Sequence, residues 1–174
     1  WDDMRNAAAG NAHDIYSVQL GPPGPCGPNL PVYTGPGEQM YPDIAFGTVN
    51  ARYQVVWEDN AAGNWNPARR MLNPMGGALG LRQFLTNDPA PQRYVRVAFS
   101  NNLVNQFTTV WQDRRAGNWD VYFQRTTGMG AMFSGNGPII TSPVAEDQPA
   151  IAFGNFWQRY FVPWRQAVNG IEGR

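Results

Sequence analysis

Apolar residues fall along this chain in short runs rich in aromatic and β-branched side chains, separated by Gly, Pro, Asn and Asp. Runs of this length and composition predict β-strands, because they are too short for helices and suit a pleated, half-buried surface. Pro42-Asp43-Ile44-Ala45-Phe46, Tyr94-Val95-Arg96-Val97-Ala98-Phe99 and Pro149-Ala150-Ile151-Ala152-Phe153 are one such run in three copies. Their phenylalanines stand 53 and 54 residues apart. A second strand follows each: Arg52 to Trp57, Gln106 to Trp111 and Arg159 to Trp164. The pattern is therefore a tandem repeat, and a period of this length predicts a repeat architecture.

After the tryptophan comes a turn, Trp57-Glu58-Asp59-Asn60-Ala61-Ala62-Gly63-Asn64-Trp65 in one copy and Trp111-Gln112-Asp113-Arg114-Arg115-Ala116-Gly117-Asn118-Trp119 in the next. An Asp that opens a turn accepts backbone N–H groups, and Gly tolerates the positive φ of a tight hairpin. Asp3, Asp59, Gly63, Asp113 and Gly117 are accordingly read as structural turn residues. Residues Trp1-Asp2-Asp3 to Asp14 repeat the hairpin with four extra residues at its tip. Asp14 to Gln19 and Asp120 to Gln124 predict a third strand. The middle copy has Asn66-Pro67-Ala68 there, and a proline that cannot donate to a ladder predicts an irregular or edge strand. Met75 to Leu81 and Thr127 to Pro138 suit a fourth strand or a loop, and Met75 to Leu85 also suits a turn or two of helix. Trp57, Trp111 and Trp164 are expected in the core.

Trp111 to Arg125 resembles, almost residue by residue, the blades of bacterial and archaeal β-propeller repeat proteins, which read roughly Val-Val-Trp-x-Asp-x-Arg-x-Gly-Asn-x-Asp-Ile-Tyr-x-Gln-Arg. The resemblance covers most of residues 1–20, 41–72 and 92–166. It implies an all-β chain of antiparallel propeller blades, about three in number. Two blades fall at about 41–90 and 92–140, with a split blade made of 1–20 and 149–166, all within a repeat domain over 1–170. A closed propeller needs at least about four blades, so the expectation is an incomplete ring or one closed by oligomerisation. The family's tryptophans are structural and its chains are usually exported, which implies an extracellular, cell-surface or periplasmic location. Ile171-Glu172-Gly173-Arg174 matches a commonly engineered protease recognition sequence and is set aside from functional argument.

Composition narrows the functional classes. The 19 Gly and 15 Pro suit many turns, and no apolar run reaches the length of a membrane span. Thirteen Arg balance 13 acidic residues, with no Lys. Without a basic face, no nucleic-acid partner is expected. The Gly/Pro-rich stretch 21–37 reads as a stiff linker that holds the single Cys26, a free thiol or a cross-link to another chain.

Candidate chemistry is sparse. The one histidine, His13, stands beside Asp14, but no nucleophile elbow accompanies it, and Ser134 has no such context. One Cys and one His cannot form a zinc cluster. Calcium is the one ion the turns suggest, and Asp59 to Asn64 or Asp113 to Asn118 with Asp120 offers few ligands. No cofactor is expected. Glu58-Asp59 and Glu146-Asp147 do not by themselves form a glycosidase carboxylate pair. The hairpin residues Asn64, Trp65, Asn118 and Trp119 are the candidate ligand site, because a ring beside amides suits a glycan. The same tryptophans also suit the gap between neighbouring blades. The expectation is a non-catalytic interaction or assembly module, with protein partners or self-association completing the ring. A carbohydrate-binding module and a fragment of a propeller hydrolase are the alternatives.

Overall fold

A computed structural model describes residues 1–5, 13–101, 105–133 and 135–167. Gly10 to Ala12 of the first hairpin, Ser134 and Ile171 to Arg174 lie outside the described residues. All regular structure among the described residues is β, in antiparallel sheets without helices. The strands are β1 (Asp2–Asp3), β2 (Asp14–Ser17), β3 (Leu20–Gly21), β4 (Gly24–Pro25), β5 (Leu30–Tyr33), β6 (Gln39–Gly47), β7 (Arg52–Asp59), β8 (Asn66–Leu72), β9 (Ala78–Phe84), β10 (Gln92–Ser100), β11 (Gln106–Asp113), β12 (Asp120–Thr127), β13 (Gly137–Ile140), β14 (Glu146–Asp147), β15 (Ala152–Gly154), β16 (Arg159–Phe161) and β17 (Arg165–Gln166).

Two complete repeats form two four-stranded meanders, β6-β7-β8-β9 and β10-β11-β12-β13. The N-terminal strands make a three-stranded sheet, β1-β2-β5, and the C-terminal strands make two pairs, β14-β17 and β15-β16. Consecutive sheets pack face to face in chain order. Ile15 and Val32 of the first sheet enclose Val55, Trp57, Ala68 and Leu72 of the second. On the opposite face, Val56 and Met71 pack with Val95, Val97, Phe107, Trp111 and Tyr122 of the third sheet. Residues 55 and 57 thus face backward and 56 forward, as the period-two alternation of a strand requires when both faces are covered. Trp57 and Trp111 are fully buried, as expected. No strand of β1, β2 or β5 pairs with any of β14 to β17.

Four expectations are corrected. The third strand of the middle copy is an inner strand, with β8 bonded to both β7 and β9. Pro67 fits because it sits second in β8 and contributes its carbonyl, which accepts the Leu85 N–H at 2.9 Å. Met75 to Leu85 holds no helix. The Asn73 side chain accepts the N–H groups of Met75 and Gly77, both at 2.9 Å, and Gly76 takes φ +81°, so the chain turns and returns as β9.

The stretch 21–37 is not a linker. It contains the β3-β4 hairpin and β5, whose Val32 is fully buried and whose Tyr33 stacks on Trp57 at 5.7 Å. Proline and glycine there mark turns around a genuine fourth strand, Leu-Pro-Val-Tyr, which gains the core face of β2. Trp164 is 37% exposed and lies between β16 and β17, outside the core.

Candidate functional site

The repeated turn is built around one carboxylate. Asp59 and Asp113 are fully buried, and each accepts the indole Nε1–H of the tryptophan two residues before it, at 3.0 and 2.9 Å. Each also accepts the backbone N–H two residues after it, Ala61 and Arg115, both at 3.0 Å. Asp3 repeats the arrangement with Trp1 at 3.2 Å and Arg5 at 2.8 Å. The Gly63 and Gly117 turns that follow take φ of +91° and +107°, where a Cβ is disfavoured.

A buried carboxylate also needs a counter-charge. Arg115 supplies it to Asp113, and Arg5 pairs in the same way with the partly exposed Asp3, through paired guanidinium bonds with shortest contacts of 2.6 and 2.7 Å. The Arg5 hydrogen bonds hold the Asp3 carboxyl well below the usual carboxylate range. The Arg5 and Arg115 guanidiniums lie over Tyr16 and Tyr122, at 4.0 and 4.3 Å.

The middle copy lacks both partners: Ala61 stands at the arginine position and Ala68 at the tyrosine position. Arg82 of β9 fills the gap. Its Nη1 donates to both Asp59 oxygens, at 3.0 and 2.9 Å, and its guanidinium lies over Phe84 and Tyr33 at 4.4 and 4.7 Å. Sequence reasoning missed Arg82, because its partner is 23 residues away on another strand. The alanines at 61 and 68 were the only available signal.

A second repeated device joins one sheet to the next. The first strand of each complete sheet carries a bulge, with Tyr41 and Tyr94 at φ +54°, and Gln148 takes φ +51° at the matching position. Such φ is uncommon for residues other than glycine. The residue after each core tryptophan caps the bulge of the following sheet: Glu58 accepts the Tyr94 N–H at 2.7 Å and bonds Arg93, and Gln112 accepts the Gln148 N–H at 2.9 Å. Burial pushes the Glu58 carboxyl above its ordinary value, with these donors acting against the rise. Gln54 adds a buried clamp, donating to Thr109 at 3.1 Å and accepting from Thr126 at 2.7 Å across the same interface.

The four hairpin residues singled out in the sequence occupy a sheet-to-sheet junction. Asn118 donates from Nδ2 to the Ser142 carbonyl at 2.7 Å. Asn64 does the same toward the carbonyls of Asp88, Pro89 and Ala90, at 3.2 to 3.3 Å. The carbonyls of Trp65 and Trp119 accept the N–H groups of Gln92 and Glu146, at 2.8 and 2.7 Å. Both rings are half-buried, and Arg93 covers that of Trp65 at 4.6 Å. The amides that would greet a sugar are engaged with the loops that lead to the next sheet.

Elsewhere, His13 donates no side-chain bond within the described residues, and its carbonyl accepts the Gln39 N–H at 3.1 Å. Cys26 is exposed and lines an apolar cleft of about 420 Å³ with Leu20, Ile44, Tyr53 and Leu72. Among the described residues, no three His, Cys, Asp or Glu side chains gather into a metal-binding group. Among the described residues, no helix is long and apolar enough to cross a membrane.

A scan of protein-family models and searches of curated proteins and of solved structures return no match to this chain.

Proposed function

We propose that this chain is a non-catalytic assembly module of the β-propeller type, whose rigid sheets dock end to end with a second copy. The observation that carries this reading is the contrast between equivalent residues. Trp57 and Trp111 are fully buried against the sheet before them, whereas Trp1, bonded to its Asp in the same way, is 44% exposed. At the other end Phe161 is 59% exposed at the repeat position of the buried Gln54 and Thr108.

The outer faces of the first and last sheets thus offer the surfaces that inner sheets bury on each other. A second copy supplies both complements, in a heterologous contact that closes a ring or extends a row. The polar networks support a scaffold role, since they hold the turns and the sheet junctions. Export fits the repeat's likeness to exported propellers.

Native mass measurement at micromolar concentration tests the proposal. Species at multiples of 19.4 kDa are expected, and Phe161→Asp should return the chain to a single unit. A wild-type monomer at that concentration overturns self-assembly.

A further inference from the structure

We infer that Arg69, with Arg52 on the same face of the sheet, forms a binding site for a small oxyanion: a sulfate, phosphate or carboxylate group. These two arginines and Arg70 line an open cleft of about 250 Å³, bordered by Gln83 and by Met129 and Gly130 of the next sheet. Arg69 is only 2% exposed. Its Nη2 donates to the Gln83 side chain and to the Gly130 carbonyl, both neutral groups, while its buried Nε has no acceptor. Arg70 borders the cleft but turns its guanidinium to the other face of the strand, where it donates to the carbonyls of Gly80 and Val32 at 2.7 to 2.9 Å. None of the three belongs to any ion pair among the described residues, and no acidic residue lines the cleft.

Three of the buried acids, by contrast, have a cationic partner. Asp59 and Asp113 each have a guanidinium, and Glu58 has Arg93. A buried cation without a counter-ion is destabilising, because its lost hydration is not replaced. Burial alone lowers the Arg69 pKa to about 10, with no carboxylate acting against it. The strand does not demand the charge either, since the matching position of β12 is Phe123. An oxyanion in the cleft provides the missing charge, and guanidinium groups are suited to it because they present paired N–H donors.

Thermal melting and calorimetric titration with sodium sulfate, sodium phosphate and sodium acetate, each against sodium chloride at matched ionic strength, test the site. The wild type should show a saturable rise in midpoint with at least one oxyanion. The arms separate a tetrahedral anion from a carboxylate. Arg69→Met should weaken binding at least tenfold and abolish the saturable rise, while any general salting effect persists in it. Arg52→Gln, which changes a half-buried side chain, should weaken binding severalfold, and it keeps the test decisive if Arg69→Met does not fold. Equal response to oxyanions and chloride in the wild type overturns the site, as does a saturable shift that survives both substitutions.

Discussion

Arg82→Met is the most searching test of how the repeat is built. The substitution keeps a long apolar stem against Tyr33 and Phe84 and removes the charge that faces Asp59. Asp59 is then a buried carboxylate left with an indole and one backbone N–H. Breaking a buried ion pair from one side costs about 3–5 kcal/mol. The Arg82 side chain is 21% exposed, so water recovers part of that, and about 2–3 kcal/mol is the working figure. For a chain of this size each kcal/mol moves the midpoint by about 2–4 °C, which gives a fall of roughly 5–10 °C.

The repeat also dictates the rescue. In Asp113's turn the guanidinium comes from Arg115, whose backbone N–H caps the same carboxylate at 3.0 Å, and Ala61 makes that backbone bond to Asp59 at the same distance. Ala61→Arg placed on Arg82→Met should therefore recover at least half of the lost stability in urea or thermal unfolding. A single variant within about 0.5 kcal/mol of the wild type, the scatter of ordinary surface changes, would refute the reasoning. So would a double variant no more stable than the single one.

Two further outcomes follow from the sheet junctions. Asp120 lies buried beside Glu146, with Asp113 also near, and burial foremost, then Glu146, raises its pKa above the ordinary 3.8. A carboxyl with a raised folded pKa binds more protons folded than unfolded, so its contribution to stability is greatest below about pH 4 and declines as pH rises through its folded value. Ser142 and Gln166 are the neutral neighbours of Glu146. Glu146→Gln, which copies Gln39 and Gln92 at the matching positions, should raise the midpoint at pH 7 and change it little at pH 3.5; an equal change at both, in melts across that range, contradicts the linkage. Asn118→Ala should lower stability by about 1 kcal/mol through loss of the bond to the Ser142 carbonyl, and unchanged unfolding in urea would free that amide for a surface role.

Much of the fold was legible because the signals were local. A tryptophan, an Asp two residues on and a Gly-Asn turn lie within one hairpin, so three copies exposed both the period and the strands. The errors came where a partner was distant or where one residue type had two uses. Pro67 lacks a donor, yet the ladder uses its carbonyl. The prolines around Leu30 hid a strand whose value lies in Tyr33 meeting Trp57. Of the candidate site, the turn residues Asp3, Asp59 and Asp113 were readable from spacing. The engagement of Asn64 and Asn118 with the following loops was not, because it spans some two dozen residues to backbone groups that leave no mark in composition.

The same repetition separates groups that hold the molecule together from groups that remain available. A hydrogen-bonding group whose partners recur from one copy to another has its capacity consumed by the architecture, and a substrate would have to compete with the fold for it. The Trp-Asp-Arg turns, the Glu58 and Gln112 caps and the hairpin amides all fall in that class. What departs from the repeat and lacks compensation is the better place to look for function. Ala61 and Ala68 depart and are compensated by Arg82. Arg69 departs from Phe123, sits buried and receives no acid, so the deviation is unresolved within the chain and points outward to a ligand.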